Sequence, residues 1–174
     1  MKRNDPTNRF LKAIDTATGE IIGHAKWIVF ADGKPEETPL TRDFWETEDE
    51  KERASYVYAA YLEPRRKAAR AANGSLISLD ILTIDPKHQR RGAGAKLMEW
   101  GVQLADEMGA EMCVEASVFA KHLYEQNGFR VTENVMIPVP EKWANKPKIE
   151  FTFMRRPAAP GTSEIDQNGS MDTP

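Results

Sequence analysis

The sequence predicts a single mixed α/β domain. Three observations carry this. Runs with strand alternation and runs with helical periodicity succeed one another along the chain, both ending in a strand pair. Length and composition suit one packed core: 174 residues, 40% hydrophobic, with 11 Gly. The charge is uneven in a way that separates a body from a tail. From Pro157 to Pro174 there are three acidic residues, Glu164, Asp166 and Asp172, no Lys or Arg, no aromatic residue and three Pro. That composition is expected to stay disordered. The tail carries the whole net charge of −3 and leaves residues 1–156 formally neutral, 24 basic against 24 acidic. The expected organisation is therefore a folded domain over 1–156 and an acidic disordered tail over 157–174.

Taken in order, Phe10 to Asp15 and Glu20 to Phe30 read as strands joined across Thr16-Ala17-Thr18-Gly19 into a hairpin. In the second run Ile21, Ala25, Trp27 and Val29 share one parity, and His24 and Lys26 the other. Ala31 to Leu40 is rich in Gly, Pro and charge and reads as a loop. Thr47 and Glu50 have the spacing of a capping box, and Ala54, Val57, Tyr58 and Tyr61 then fall on one helical face. Pro64 is expected to end or kink that helix, with Arg65 to Ala72 forming a short second one closed by Asn73-Gly74.

Ser75 to Ile84 reads as a mostly buried strand stopped by Asp85-Pro86. Gly92 to Met108 reads as a helix with Leu97, Gly101, Leu104, Ala105 and Met108 toward the core and Gly109 as its cap. Met112 to Ala116 is the next strand, and a short helix through Leu123 and Tyr124 ends at Asn127-Gly128. Phe129 to Ile137 and Ile149 to Met154 complete the strands.

Several function classes are excluded or disfavoured at once. A net charge of −3 argues against a dedicated nucleic-acid binder. The single cysteine, Cys113, can form neither an intrachain disulfide nor a Cys-based zinc site, and it reads as a buried packing residue. His24, His88 and His122 lack metal-ligand spacing, so no metal is expected. Neither a secretory signal nor an apolar run near 18 residues is visible. The cytoplasm is the expected compartment, with the nucleus left open.

One segment carries chemistry. Lys87-His88-Gln89-Arg90-Arg91-Gly92-Ala93-Gly94-Ala95-Lys96 holds four formal positive charges and no acid. It lies between a buried strand and a helix start, where backbone N–H groups have no intrahelical partner. Gly92 and Gly94 let an anion approach that backbone. Together these features predict a phosphate or pyrophosphate site. A Walker A loop is absent, and a dinucleotide fingerprint lacks its third small residue, since Leu97 stands there.

The stretch from Leu79 to Gly94 resembles the acetyl-CoA motif of the GNAT superfamily of N-acetyltransferases, Gln/Arg-x-x-Gly-x-Gly/Ala, met by Gln89, Gly92 and Gly94. A second motif follows: Ala120-Lys121-His122-Leu123-Tyr124-Glu125-Gln126-Asn127-Gly128-Phe129 is similar to the family's Ala-x-x-Leu-Tyr-Glu-x-x-Gly-Phe. The resemblance runs from about Phe10 to Arg156, and the flavour of the first motif is closest to fungal members.

The resemblance implies a mostly antiparallel sheet in which two parallel strands splay apart to admit acetyl-CoA. Backbone groups along Leu82, Thr83 and Ile84 would hold the acetyl carbonyl and the pantetheine arm. The N–H groups of Arg90, Arg91, Gly92, Ala93, Gly94 and Ala95 would hold the pyrophosphate, with Gln89 shaping the loop and Lys96 closing the basic segment. Ser117 stands where many relatives carry an Asn that contacts pantetheine. Tyr124 matches a tyrosine that often protonates the departing thiolate; spacing alone favours a half-buried structural Tyr, and the Leu-Tyr-Glu-x-x-Gly-Phe context favours the acid.

Asp80 is a candidate base for the attacking amine, with a hydrogen-bonded structural carboxylate as the other reading, and Glu115 is a weaker candidate. Asp80 and Leu82, two residues apart, are expected on one sheet face. Trp45, Tyr56, Tyr58 and Tyr61 could line an acceptor pocket, although an aromatic helix face is more often core. The family's usual strand and helices before the hairpin are missing, because only nine residues precede Phe10. The acceptor wall is thus expected from the helical insert at Thr47 to Asn73, from a second subunit, or from residues lost to a truncated gene model. Apolar surface left without that cover would favour a homodimer.

The function expected is acetyl transfer from acetyl-CoA to a small-molecule or peptide amine by direct attack in a ternary complex. The alternatives are a non-catalytic CoA-binding module and a nicotinamide-dependent oxidoreductase.

Overall fold

In the computed structural model, residues 6–30, 45–72 and 75–159 are described. The expected loop at Ala31 to Leu40, the Asn73-Gly74 stop and the tail beyond Ala159 lie outside them. Six strands form one sheet in the order β1-β2-β3-β4-β6-β5. Strand β1 (Asn8–Ile14) and β2 (Ile21–Phe30) make the hairpin, β3 (Leu76–Ile84) and β4 (Glu111–Ala116) are central, and β5 (Arg130–Met136) and β6 (Glu150–Arg156) close the far edge. Only β3 and β4 pair in parallel; the other neighbours are antiparallel. Helices α1 (Glu48–Ala71), α2 (Ala93–Met108) and α3 (Lys121–Gln126) complete the domain. This is the mixed, mostly antiparallel sheet with flanking helices that the sequence predicts.

The hairpin turn is tied by Asp15, whose side chain accepts from Ala17 N–H at 2.9 Å while its carbonyl accepts from Gly19 N–H at 2.7 Å. Ala25, Trp27 and Val29 enter the main core as the alternation predicts. Ile21 does not, being 63% exposed, and Ile22 is buried in its place. A register shift sets Ile14 opposite Ile21 but Ala13 opposite Gly23, and one extra residue reverses which side chains face inward.

Helix α1 starts with half of the capping box formed, since Glu50 reaches the residue before the Thr47 cap. Thr47 Oγ1 accepts from Glu50 N–H at 3.2 Å, and the Glu50 carboxylate reaches back to Glu46 N–H at 3.1 Å. The expected break at Pro64 does not occur, and one 24-residue helix runs through it. Pro64 costs about 3 kcal/mol in a helix interior. The following residues, Arg65-Arg66-Lys67-Ala68-Ala69-Arg70-Ala71, are all good helix formers. Two of them are also anchored: Ala68 packs with Leu76, Cys113 and Phe153 in a second core cluster, and Arg65 is buried in ion pairs.

Helix α2 covers the opposite face with Leu97, Met98, Gly101 and Ala105 buried. Met108, expected inside, is 37% exposed, and Met98 takes the core position instead.

Candidate active site

The parallel ladder between β3 and β4 stops at Leu79↔Val114. Beyond it β3 continues to Ile84 paired only with β2, and β4 continues to Ala116 paired only with β6. The two arms diverge, and the inner edge of the β3 arm is free of a strand partner. An unpaired strand edge offers N–H and C=O groups to an extended, amide-bearing chain. Leu82, Thr83 and Ile84 lie on that edge, and the exposed Ser117 follows the β4 arm directly.

A second register shift lies on this arm. Lys26 faces Ile81 while Trp27 faces Leu79, so Asp80 is an extra residue in β3. The expectation that Asp80 and Leu82 share a face fails here. Leu82 packs against the core on the α2 side, whereas Asp80 turns toward α1. A bulge resets the two-residue period by one.

The loop after β3 has the form the sequence suggests. Asp85 accepts from Lys87 N–H at 2.8 Å, and the Gln89 amide donates to Ile84 O at 3.2 Å, tying the loop back to the end of the strand. Arg90 has φ 60° and Gly92 φ 87°, both left-handed. Left-handed residues in such a turn make concavities lined by N–H groups. The first intrahelical bond of α2 runs from Lys96 N–H to Gly92 O at 3.0 Å, so the N–H groups of Ala93, Gly94 and Ala95 precede it. A Cβ at Gly94 would meet Leu123 at 3.7 Å and Ile84 at 3.8 Å, ordinary contacts. The protein itself tolerates a side chain there, so what the glycine preserves is open space beside the N–H row. That geometry fits a pyrophosphate.

Two basic side chains of this segment are already engaged. Arg91 donates to Asp15 at 3.0 Å and lies 2.7 Å from His88 Nδ1, and Lys96 pairs with Glu99 at 2.6 Å. The anion-holding groups are therefore chiefly backbone. The hydrogen bond to Ala17, opposed by burial, and then the Arg91 guanidinium keep the Asp15 carboxyl below its usual value.

At the vertex of the fork the two candidate bases are spent. Asp80 binds Arg65 at 2.7 Å through one oxygen and Lys26 at 2.7 Å through the other. Glu115 takes Arg65 through both oxygens, one at 3.0 Å from Nε and the other against Nη2. Burial alone would raise the Asp80 carboxyl; the Arg65 charge and hydrogen bond, with Lys26, outweigh it and hold it low. A doubly paired carboxylate with a lowered pKa is a poor proton acceptor. The geometry thus supports the structural reading of Asp80. Arg65 is the residue that sequence reasoning passed over.

Tyr124 is 5% exposed, on α3, and packs against Phe129 with ring centroids 6.0 Å apart. Burial pushes its phenol up to about 12, and the Glu115 carboxylate adds to the shift. Tyr61 on α1 is likewise pushed up to about 12, first by burial and then by Glu115, and its ring lies 4.8 Å from Phe151. Tyr56 stacks against Trp143 at 5.7 Å and donates to Pro138 O at 2.8 Å, so both rings serve packing. Cys113 is fully buried, as expected, and burial lifts its thiol to about 12. The native protein is therefore expected to show no free thiol to a disulfide reagent at pH 8, and one equivalent after denaturation. A fast native reaction would place Cys113 elsewhere.

Among the described residues no group of three or more His, Cys, Asp or Glu is arranged to hold a metal ion, and no helix is long and apolar enough to cross a membrane.

The forked parallel pair leading into an N–H-lined helix start is the arrangement that the GNAT resemblance implies. Residues 41–137, more than half of the chain, match the family described as acetyltransferase (GNAT) domain, and the chain belongs to that family. Its fold is similar to that of mosquito arylalkylamine N-acetyltransferase-like 5b, at 17% identity and TM-score 0.63 over 84% of this chain and 73% of that one. Drosophila melanogaster polyamine N-acetyltransferase, which forms N-acetylagmatine, is similar at 16% identity and TM-score 0.60, over 84% and 73%. Aedes aegypti arylalkylamine N-acetyltransferase 2 is similar at 18% identity and TM-score 0.58, over 84% and 72%. No curated protein matches the sequence.

Proposed function

We propose that this protein transfers the acetyl group of acetyl-CoA to a primary amine. The observation that carries the reading is the fork itself: β3 continues past the end of its parallel ladder through Asp80 to Ile84 and leads into the loop at Gln89 to Ala95. An extended amide chain ending in phosphates would find a strand edge and then a row of N–H groups. Leu82, Thr83 and Ile84 would hold the pantetheine arm, Ser117 would face it from the other strand, and the backbone from Arg90 to Ala95 would hold the pyrophosphate. The amine substrates in the names of the structural neighbours belong to the same reaction class.

The amine nitrogen attacks the thioester carbon, the carbon–sulfur bond breaks, and the nitrogen loses a proton. With Asp80 and Glu115 committed to Arg65, that proton leaves through solvent, so the acceptor reacts as the free amine. Tyr124 supports the departing sulfur. Its phenol stays protonated throughout the working pH range, pushed up to about 12 and so well above an ordinary thiol of about 8.5. Full transfer to the thiolate would be uphill. Tyr124 therefore acts as a hydrogen-bond donor to the developing charge and keeps its own proton; the nitrogen gives its proton to solvent and the departing thiolate is protonated from solvent.

Thermal unfolding with and without acetyl-CoA tests the reading. At about 100 times Kd, stabilisation is expected near 2.7 kcal/mol. Thiol release with an amine panel then separates catalysis from a non-catalytic CoA-binding module, a reading that the commitment of both carboxylates favours. Absence of any shift with acetyl-CoA removes both.

A further inference from the structure

Asp80 and Glu115 are each the first residue beyond the last paired positions of β3 and β4, Leu79 and Val114. They come from different strands, and both reach the α1 side of the sheet. One guanidinium meets both: Arg65 Nη1 lies 2.7 Å from Asp80, and Nε and Nη2 hold the two oxygens of Glu115. The contact is sheltered, with side-chain exposures of 5% for Arg65, 1% for Glu115 and 23% for Asp80. Lys26 on β2 balances the second oxygen of Asp80, so two carboxylates face two cations. Two neighbouring carboxylates at a buried vertex repel unless a cation stands between them. A planar guanidinium with donors in a fixed fork can bridge them at one set spacing, whereas an ammonium is a single point.

We propose that Arg65 is a positioning residue, a clasp from helix α1 that fastens the two diverging strands at the vertex and fixes the width of the opening that receives pantetheine. The proposal rests on the acetyl-CoA reading above. It also explains why α1 must stay helical through Pro64: a break there would detach the next residue from the helix that carries it.

The test combines two variants with two readouts. Arg65→Lys keeps one charge but cannot span both carboxylates. Arg65→Met with Glu115→Met replaces a buried ion pair by an apolar one, which commonly preserves stability. In both, the KM for acetyl-CoA is expected to rise about tenfold, with kcat kept within about threefold, as loss of binding geometry predicts. Amide hydrogen exchange without ligand is expected to speed up at residues 80–84 and 115–116 while residues 97–105 of α2 keep their protection. Unchanged KM and unchanged exchange at the fork would overturn the proposal. So would loosening spread evenly over the sheet, or a restored KM in the apolar double variant, since either makes Arg65 a stabilising residue only. If wild-type protein fails to bind acetyl-CoA, the acetyl-transfer reading falls; the exchange contrast still decides whether Arg65 sets the fork.

Discussion

Gly101→Ala is expected to destabilise the protein by about 3 kcal/mol, although alanine is the better helix former by about 1 kcal/mol. A Cβ at this position would lie 2.2, 2.4 and 2.5 Å from three atoms of the Trp27 indole. The indole is a rigid plane, fully buried, at the centre of the main core cluster. It cannot yield the ångström needed without displacing β2 or its other neighbours, and close-packed cores resist such shifts. Glycine here lets α2 settle onto the sheet with the tryptophan between them. For a chain of this size the loss corresponds to about 6–12 °C in Tm. Trp27 Nε1 is also buried without a hydrogen-bond partner among the described residues, so Trp27→Phe removes both an unpaired donor and the clashing ring. The double variant Gly101→Ala with Trp27→Phe should recover part of the loss, read as a non-additive coupling in denaturant titrations. A Gly101→Ala protein as stable as wild type would show that helix and strand do not approach as closely as these distances require.

The elements that were legible share a cause: each is marked by composition repeated over many residues. Strand alternation in Ala25, Trp27 and Val29, the Thr47 and Glu50 box, the helix ends at Gly109 and Gly128 and the Gly-rich loop all have local signals. The departures lack such a signal. The bulges at the hairpin and at Asp80 each insert one residue, which leaves no mark on composition but turns every later side chain over. Met108 reads as inward-facing only by a helical period that holds on average. Continuity through Pro64 depends on what the downstream turns touch, which is not local information.

The site divides in the same way. Its backbone half, from Leu82 to Ala95, was readable, because glycines and a strand-to-helix junction announce N–H groups. The charged half left two readings of Asp80 open, base or structural carboxylate, because its partners come from β2 and α1, 54 and 15 residues away in sequence. A signal for Arg65 did exist. Tyr61, Arg65 and Ala68 share one helical face, so an arginine occupied a position where burial was expected. The strand that reads as mostly buried carries Asp80, and the next strand carries Glu115. A buried cation and two buried acids in separate elements call for one another.

Tyr124→Phe is expected to lower kcat by about 100-fold while changing the acetyl-CoA Kd little. The substitution removes one oxygen from a ring that is 5% exposed and keeps its packing on Phe129, so the fold should persist. In the proposed mechanism, what disappears is a donor to charge that develops only as the carbon–sulfur bond breaks, and such a donor acts on kcat. The pH profile supplies the second readout. With the phenol near 12, rate should rise as the acceptor amine deprotonates and then stay level to about pH 10, with no descending limb from this tyrosine. The sign follows from the shift: burial and the Glu115 charge both oppose the phenolate, so the donor form is present below about 12 and lost only above it. Thioesters with a better leaving thiolate need less help, so the defect of Tyr124→Phe should shrink as the leaving thiol becomes more acidic. A variant with unchanged kcat, or a defect that is the same for every leaving group, would place Tyr124 in packing alone and leave the sulfur to solvent.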